Sequence, residues 1–328
     1  MDRQTPCRSV VLHADDLGMN DRVSAGIIRG FSEGLLTSAS VLTNAPGCAW
    51  ALTQWKDLQA RLLQDALPSR DARRLAGDSP RPFDLGIHLN LTQGRPLTGE
   101  RYPALLLDRN GLFPGIFGLA LRIMQTGSRY RQAIEEEMCA QIERLLDSGF
   151  SPTHLNAHQY ADILPVVAAL IPRLVQRYDI PVVRVPWERR LTETTLMRRF
   201  QPANWCLAQV KRIFAFRHLL AMRRHGVAHP ACFFGTSHAG RIDLDLMRVY
   251  LGAAGEGITE IGMHPGAFGR AIEVSRDADG WHDPLAELRG GELSLLTSPE
   301  LVQLLETQNV RLARLSDLAA CGNTRAAA

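Results

Sequence analysis

Short apolar, β-branched runs alternate with segments of helical period along nearly the whole chain, and that alternation limits what the chain can fold into. Residues 9–14 (SVVLHA) read as a strand. Residues 20–34 read as a helix, with Asn20 as its N-cap and Gly34 close to its end. A strand at 38–44 and a helix at 51–64 follow, then a polar, Pro- and Arg-rich loop over about 68–82 and a strand at 83–91. Glycine and proline mark 95–118 as a long loop over one face. The pattern resumes with a helix at 130–149, a strand at 153–158, a helix at 163–178 and a strand at 181–186. Strands at 231–235 and 257–266 flank a helix at 244–254, and the tail adds a helix at 299–309 and a last strand in VRLARLSDL.

Repeated β-then-α units predict a parallel sheet with right-handed crossovers. Such a sheet is either an open doubly wound layer or a barrel. Polar residues follow strands at many separate points here, and a barrel gathers all its strand ends on one face. An open sheet concentrates them at one switch point. The expectation is therefore an α/β fold with mostly parallel strands, closed as a (β/α) barrel. No GxGxxG or GxxxxGK[ST] string follows any strand, so a nucleotide fold has no support. The 328 residues read as a single domain, 1–328, with a basic helical insert at about 187–230. A net charge of +3 is too small to mark a nucleic-acid binder. The six cysteines (Cys7, Cys48, Cys139, Cys206, Cys232 and Cys321) include no CxxC pair and read as reduced thiols. MDRQTPCRSV leads directly into the first strand without the pattern of a signal peptide, and no apolar run is long enough to span a bilayer. These features predict a cytoplasmic protein.

Four strands end in acid or imidazole. The first delivers Asp15 and Asp16, GIHLNL delivers His88, THLNAH delivers His154, Asn156 and His158, and GMHPG delivers His264. Parallel strands are ordinarily apolar throughout, so polar ends suit a site at the carboxyl edge. The period of two puts His154, Asn156 and His158 on one face. One aspartate with two histidines is a common facial set for a divalent ion, and it leaves positions open for water and substrate. A cation also explains two adjacent acids. It neutralises one carboxylate, so the other can stay ionised and accept a proton. Each residue has a plainer reading too: an Asx turn or helix cap for the acids, a hydrogen-bonded core or turn position for each histidine.

HADDLGMN, VLTNAPG, LGIHLNLTQGRPL, SPTHLNAHQYADILP and IGMHPG occur in the order and context of the YdjC-like carbohydrate deacetylases, and the chain resembles that family from about residue 8 to about 318. The resemblance implies an incomplete TIM-like barrel with one divalent metal ion, magnesium or zinc being candidates. It implies Asp16, His88 and His158 as metal ligands and Asp15 as general base. His264 is implied as the acid for the leaving amine or as a stabiliser of the oxyanion. Many relatives carry an HxDSHHH-like string; here it is HLNAHQY, with Asn156 in place of the acid and Gln159 and Tyr160 in place of histidines. HLNAH and HPACFFGTSHAG look most like the subgroup associated with hopanoid biosynthesis. That implies removal of acetyl from an N-acetylglucosaminyl hopanoid. A chitooligosaccharide deacetylase and a non-catalytic sugar- or lipid-binding barrel are the alternatives. A glycosidase is disfavoured, because its carboxylates stand about 5–9 Å apart across a bond.

Residues 194–242 contain no Asp or Glu but hold Arg198, Arg199, Lys211, Arg212, Arg217, Arg223, Arg224 and Arg241. Within 205–224, Leu207, Val210, Phe214 and Leu220 or Ala221 recur near helical spacing. Two readings follow: an amphipathic helix in peripheral contact with anionic lipid at the inner face of the membrane, or a buried barrel helix with solvated arginines.

Overall fold

The computed structural model describes residues 8–63, 75, 83–188, 202–267 and 280–319. The loop expected at 68–82 lies almost wholly outside them, as do Cys7, Arg198, Arg199, Cys321 and the side chain of Cys206. Seven strands pair in parallel: β1 (Arg8–Leu17), β2 (Ser38–Val41), β3 (Asp84–Leu89), β4 (His154–Ala157), β5 (Val182–Val183), β6 (Cys232–Phe234) and β7 (Ile258–Met263). Their order across the sheet is β5-β4-β3-β2-β1-β7-β6. An eighth strand, β8 (Val310–Leu312), pairs with Arg8–Val10 of β1. Val183 N donates to Ala228 O at 2.9 Å and Phe233 N to Trp187 O at 3.2 Å, which draws the two outer edges together. The sheet is an incomplete TIM-like barrel clad in helices, as the resemblance implies.

β1 reads as continuously apolar, but its two faces differ. Val10, Leu12 and Ala14 belong to the main core. Val11 joins Val182, Ile258, Ala313 and Leu315 in a small separate cluster. His13 and Asp15 follow Val11 on the same face. That face therefore changes along the strand from an apolar plug to a polar layer, and the polar layer holds the site.

The helices are α1 (Asp21–Ser32), α2 (Cys48–Leu63), α3 (Gly115–Thr126), α4 (Arg131–Asp147), α5 (Pro165–Ala168), α6 (Ile171–Arg177), α7 (Pro202–Arg224), α8 (Leu244–Ala253), α9 (Arg289–Leu296) and α10 (Pro299–Thr307). Asn20 caps α1 as expected, its Oδ1 accepting from Val23 N at 2.9 Å. Two expectations are corrected. The Gly- and Pro-rich stretch 95–118 is not all loop, since α3 begins within it. Pro114 and Gly115 (φ +74°) sit at the start of α3 and Gly127 (φ +58°) at its end. The helix expected over 163–178 is broken into α5 and α6. Pro172 has no N–H to give to the Ala168 carbonyl, so the turn cannot continue through it. The structure also adds α9, a short run holding two glycines that the sequence reading leaves unassigned.

α7 connects β5 to β6. Its inward line is Ala215, His218, Leu219 and Met222, with Phe214 and Ala221 half-buried. Leu220 is on the outer side with Ile213 and Phe216, so of the two alternatives for the stripe it is Ala221 that packs against the core. The side chains of Leu207 and Val210 lie outside the described ones. Lys211 Nζ sits 4.6 Å above the Tyr160 ring, and the Arg212 guanidinium 5.0 Å above Trp187. Cys48 and Cys139 are free and buried, and Cys232 is buried.

Inside the barrel Gly86 makes room for an imidazole, for a Cβ there would lie 2.2 Å from His154 Nε2. Gly86→Ala must therefore push the His154 ring off its position. The expected cost is about 1–3 kcal/mol of stability, read as a lower urea midpoint. An unchanged midpoint would show the ring has room to move.

Candidate metal centre

In a regular strand consecutive side chains point to opposite faces, yet Asp15 and Asp16 serve one site. The pairing of β1 with β2 shifts register between Ala14 and Leu17, and Asp16 adopts φ +70°. This irregularity turns Asp16 towards the side of its neighbour. Aspartate is among the few residues that tolerate the left-handed region. After β4 the chain turns sharply through Gln159 (φ 53°) and Tyr160 (φ 58°), leaving His158 at the strand end. Two successive left-handed non-glycine residues are strained, and such strain collects at functional sites.

Asp16 Oδ1 lies 2.9 Å from His158 Nδ1 and 3.5 Å from His88 Nε2. Neither approach has hydrogen-bond geometry, and this buried oxygen has no partner. Asp16, His88 and His158 each offer a ligand atom, and these atoms lie within 4.8 Å of one another. Among the described residues no other such group of histidine, cysteine and acid occurs. His158 Nε2 is also buried without a partner. A buried polar atom left unpaired is costly, and a cation satisfies Asp16 Oδ1 where no donor does. One carboxylate and two imidazoles suit a divalent ion, so the residues fit the group that the sequence implies.

The surroundings orient these atoms. Asn156 Nδ2 donates to Asp15 Oδ1 at 2.9 Å, which leaves Asn156 Oδ1 as the acceptor facing His88 Nδ1 at 2.8 Å. His88 Nδ1 must then carry a proton, which leaves Nε2 as the atom that faces Asp16. Arg289 Nη2 donates to Asp16 Oδ2 at 2.8 Å, and Asp283 holds the same guanidinium through Nε at 2.8 Å. Asp15 is equally engaged. Arg184 Nη1 donates to its Oδ2 at 2.6 Å and Ser40 Oγ to its Oδ1 at 3.3 Å, and His13 Nε2 lies 3.2 Å from Oδ1. Glu260 Oε1 accepts from Arg184 Nε at 2.7 Å, so one buried guanidinium spans two buried carboxylates.

Burial alone would push both aspartates up. For Asp15 the Arg184 guanidinium, with His88 and His13, outweighs burial and holds the carboxyl well below the usual range. For Asp16 Arg289 and His158 do the same. Both are therefore ionised at neutral pH. His264 Nε2 lies 3.8 Å from Asp15 Oδ2. Burial pulls this imidazole down to about 4, against the opposing pull of Asp16 and Asp15, so it is neutral at pH 7. Its backbone N–H donates to Glu292. His154 is enclosed: its Nδ1 lies 2.9 Å from Thr153 Oγ1 and its ring 4.9 Å from His13. That leaves His264 as the better placed of the two for contact with a substrate.

The structure thus brings Asp15, Asp16, His88, His158 and His264 together. Sequence reasoning missed Arg184, Glu260, Arg289 and Asp283. A signal was present for the first two, since PVVRVP and ITEIGM each place one charge of opposite sign inside an apolar strand. Trp281 was missed as well. Its ring centroid lies 6.5 Å from that of His158, and its indole rests on Gly94, where a Cβ would lie 2.3 Å from Trp281 Nε1.

The profile of the YdjC-like protein family matches residues 9–307. A carbohydrate deacetylase of Geobacillus stearothermophilus is 35% identical over 175 residues, 53% of this chain and 59% of that one. The carbohydrate deacetylase of Mus musculus is 29% identical over 323 residues, 94% of each chain. A solved structure from Enterococcus faecalis, of a protein to which cellobiose-phosphate cleavage is ascribed, superposes with a TM-score of 0.69 at 19% identity. It covers 95% of this chain and 98% of its own, a likeness of fold.

Two measurements check the site. Asn156→Ala frees the His88 ring and should weaken divalent-ion binding by about 10–100-fold in calorimetric titration; unchanged affinity would remove the orienting role. Arg184→Met strands Asp15 and Glu260 without their cation and should cost about 3–5 kcal/mol in chemical denaturation. A loss within experimental error would mean that the ion pairs contribute nothing net.

Proposed function

The chain belongs to the YdjC-like protein family, and from that premise we propose that it hydrolyses the N-acetyl group of an acetylated amino sugar with a divalent cation held by Asp16, His88 and His158. The observation that carries this reading is the buried, partnerless Asp16 Oδ1 between two imidazoles, with a second ionised carboxylate next to it in the chain. A divalent cation there supplies polarisation of the acetyl carbonyl and a water of lowered pKa.

The chain's own residues do the rest. Asp15 accepts a proton as the water oxygen bonds to the carbonyl carbon. Arg184, Asn156 and Ser40 keep this carboxylate fixed and charged, which makes it a weak but always available base. His264 serves the other side of the reaction. A neutral ring can donate an N–H to the oxyanion. It becomes charged only when a proton reaches it, and Asp15 at 3.8 Å is a source. As the C–N bond breaks, that proton passes to the departing amine and acetate is left. An intact set of ligands around a partnerless oxygen supports a working enzyme over a relic that only binds sugar.

The finer substrate we propose is an N-acetylglucosaminyl hopanoid. It rests on the HLNAH segment at 154–158, which supplies Asn156 and His158, and on HPACFFGTSHAG at 229–240. Metal-loaded protein incubated with such a glycolipid should lose one acetyl unit by mass from the substrate. Turnover of chitooligosaccharides alone would replace the substrate, and acetate from neither would end the deacetylase reading. Asp15→Asn should keep the ion but lower kcat by about 10²–10⁴-fold, whereas His158→Ala should lose both. Normal turnover by Asp15→Asn would remove the base assignment.

A further inference from the structure

Helix α3 turns an apolar face to solvent. Phe117, Leu121 and Met124 are 70%, 54% and 81% exposed. Their spacing of four and three places them in one row, while Leu119 and Ile123 point the other way into the core. Isolated exposed apolar side chains are ordinary, but a row of large ones along one helix marks a contact surface.

The charge around this row identifies its partner. Residues 109–134 contain no Asp or Glu, and they carry Arg109, Arg122, Arg129 and Arg131. Arg109 and Arg129 are exposed, and Arg122 lies on α3 itself. Apposing two copies of this face would bring like charges together. An anionic lipid surface instead offers apolar depth for the row and negative charge for the arginines. We propose that α3 docks the protein on an anionic membrane surface.

The docking helix is linked to the wall of the site. Gly115 N, at the head of α3, donates to Thr92 O at 3.0 Å, and Phe113 N to Gly94 O at 2.9 Å. Gly94 in turn carries the Trp281 indole beside His158. The helix is therefore rooted in the loop that walls the metal centre. No helix among the described residues is long and apolar enough to cross a membrane, so the contact is one of surface attachment.

The test is co-sedimentation with vesicles of phosphatidylcholine mixed with phosphatidylglycerol, and with vesicles of phosphatidylcholine alone. The wild type should bind the mixed vesicles, bind the neutral ones much less, and lose binding as salt rises. Changing Phe117, Leu121 and Met124 together to Ser should lower partitioning by at least about tenfold, because each truncation withdraws apolar area from the lipid. Arg122→Glu with Arg129→Glu should weaken binding without touching the row. The fold should persist, since the changed side chains are outside the core. Absence of wild-type binding overturns the proposal. So does binding that survives the α3 changes but is lost on Ile213→Ser with Leu220→Ser in α7. A dimer in lipid-free solution that the α3 changes split into monomers overturns it in favour of a second copy. None of these variants alters a residue of the metal centre, and hydrolysis of a soluble acetylated sugar reports separately on the deacetylase reading.

Discussion

Two carboxylates adjacent in sequence are buried side by side, and each has its own buried arginine. Arg184 holds Asp15 across 169 residues of chain, and Arg289 holds Asp16 across 273. Without these cations, burial and mutual repulsion would drive the pair towards protonation, and a protonated pair is neither a good ligand nor a base. The arginines also have to be compensated, and Glu260 and Asp283 do this. The fold therefore has to bring together the end of β1, the segment just after β5, the middle of β7 and the start of α9. A barrel whose strand ends converge can do so, whereas a flat sheet would spread them out.

Each aspartate divides its two oxygens between tasks. Asp16 gives Oδ2 to Arg289 and keeps Oδ1 for the position between His88 and His158. Asp15 gives Oδ1 to Asn156 and Ser40, while Oδ2 takes Arg184 and faces His264. The shared member is Asn156. It donates its amide N–H to Asp15 and accepts from His88 with its carbonyl, so the proposed base and the proposed ligand are placed relative to each other by one planar group. A carboxylate at that position would accept from His88 but have no N–H for Asp15, and would add a third negative charge to the pair. The asparagine of HLNAH is thus chemically suited to a site that already holds two acids and two buried arginines.

What the sequence discloses follows from the range of the interaction. Strand and helix alternation is local, and it led to the barrel. The site histidines lie on strands with period two, so His88 and His158 stand out from apolar neighbours. Asp16 stands out less, because its contribution depends on an irregularity at φ +70° that no periodicity encodes. The arginines are a different case. The site carboxylates they hold are 169 and 273 residues away, and neither the lone Arg in PVVRVP nor the Asp283–Arg289 pair gives a local sign of that role. α3 was hidden for a local reason. The glycines and proline that bound it are the same residues that mark loops, and its row of exposed apolar side chains is not the usual inward stripe.

The mixture of strain and enclosure around the centre has a common cause. A site that must keep charges in fixed directions cannot rely on flexible surface side chains. Here Asp15, Asp16, His88 and His158 stand at or near strand ends, the guanidiniums are pinned at both ends, and the apolar plug of Val11, Val182, Ile258 and Leu315 fills the same face below them. Three of the left-handed non-glycine residues, Asp16, Gln159 and Tyr160, then fall where site strands stop. The rigid lower barrel makes those strained turns tolerable, because hydrogen-bonded neighbouring strands leave them no relaxed alternative. The polar layer depends on the plug for its position. In that layer the carboxylates of Asp15, Asp16, Glu260 and Asp283 face the guanidiniums of Arg184 and Arg289, an excess of negative charge that a divalent cation would offset.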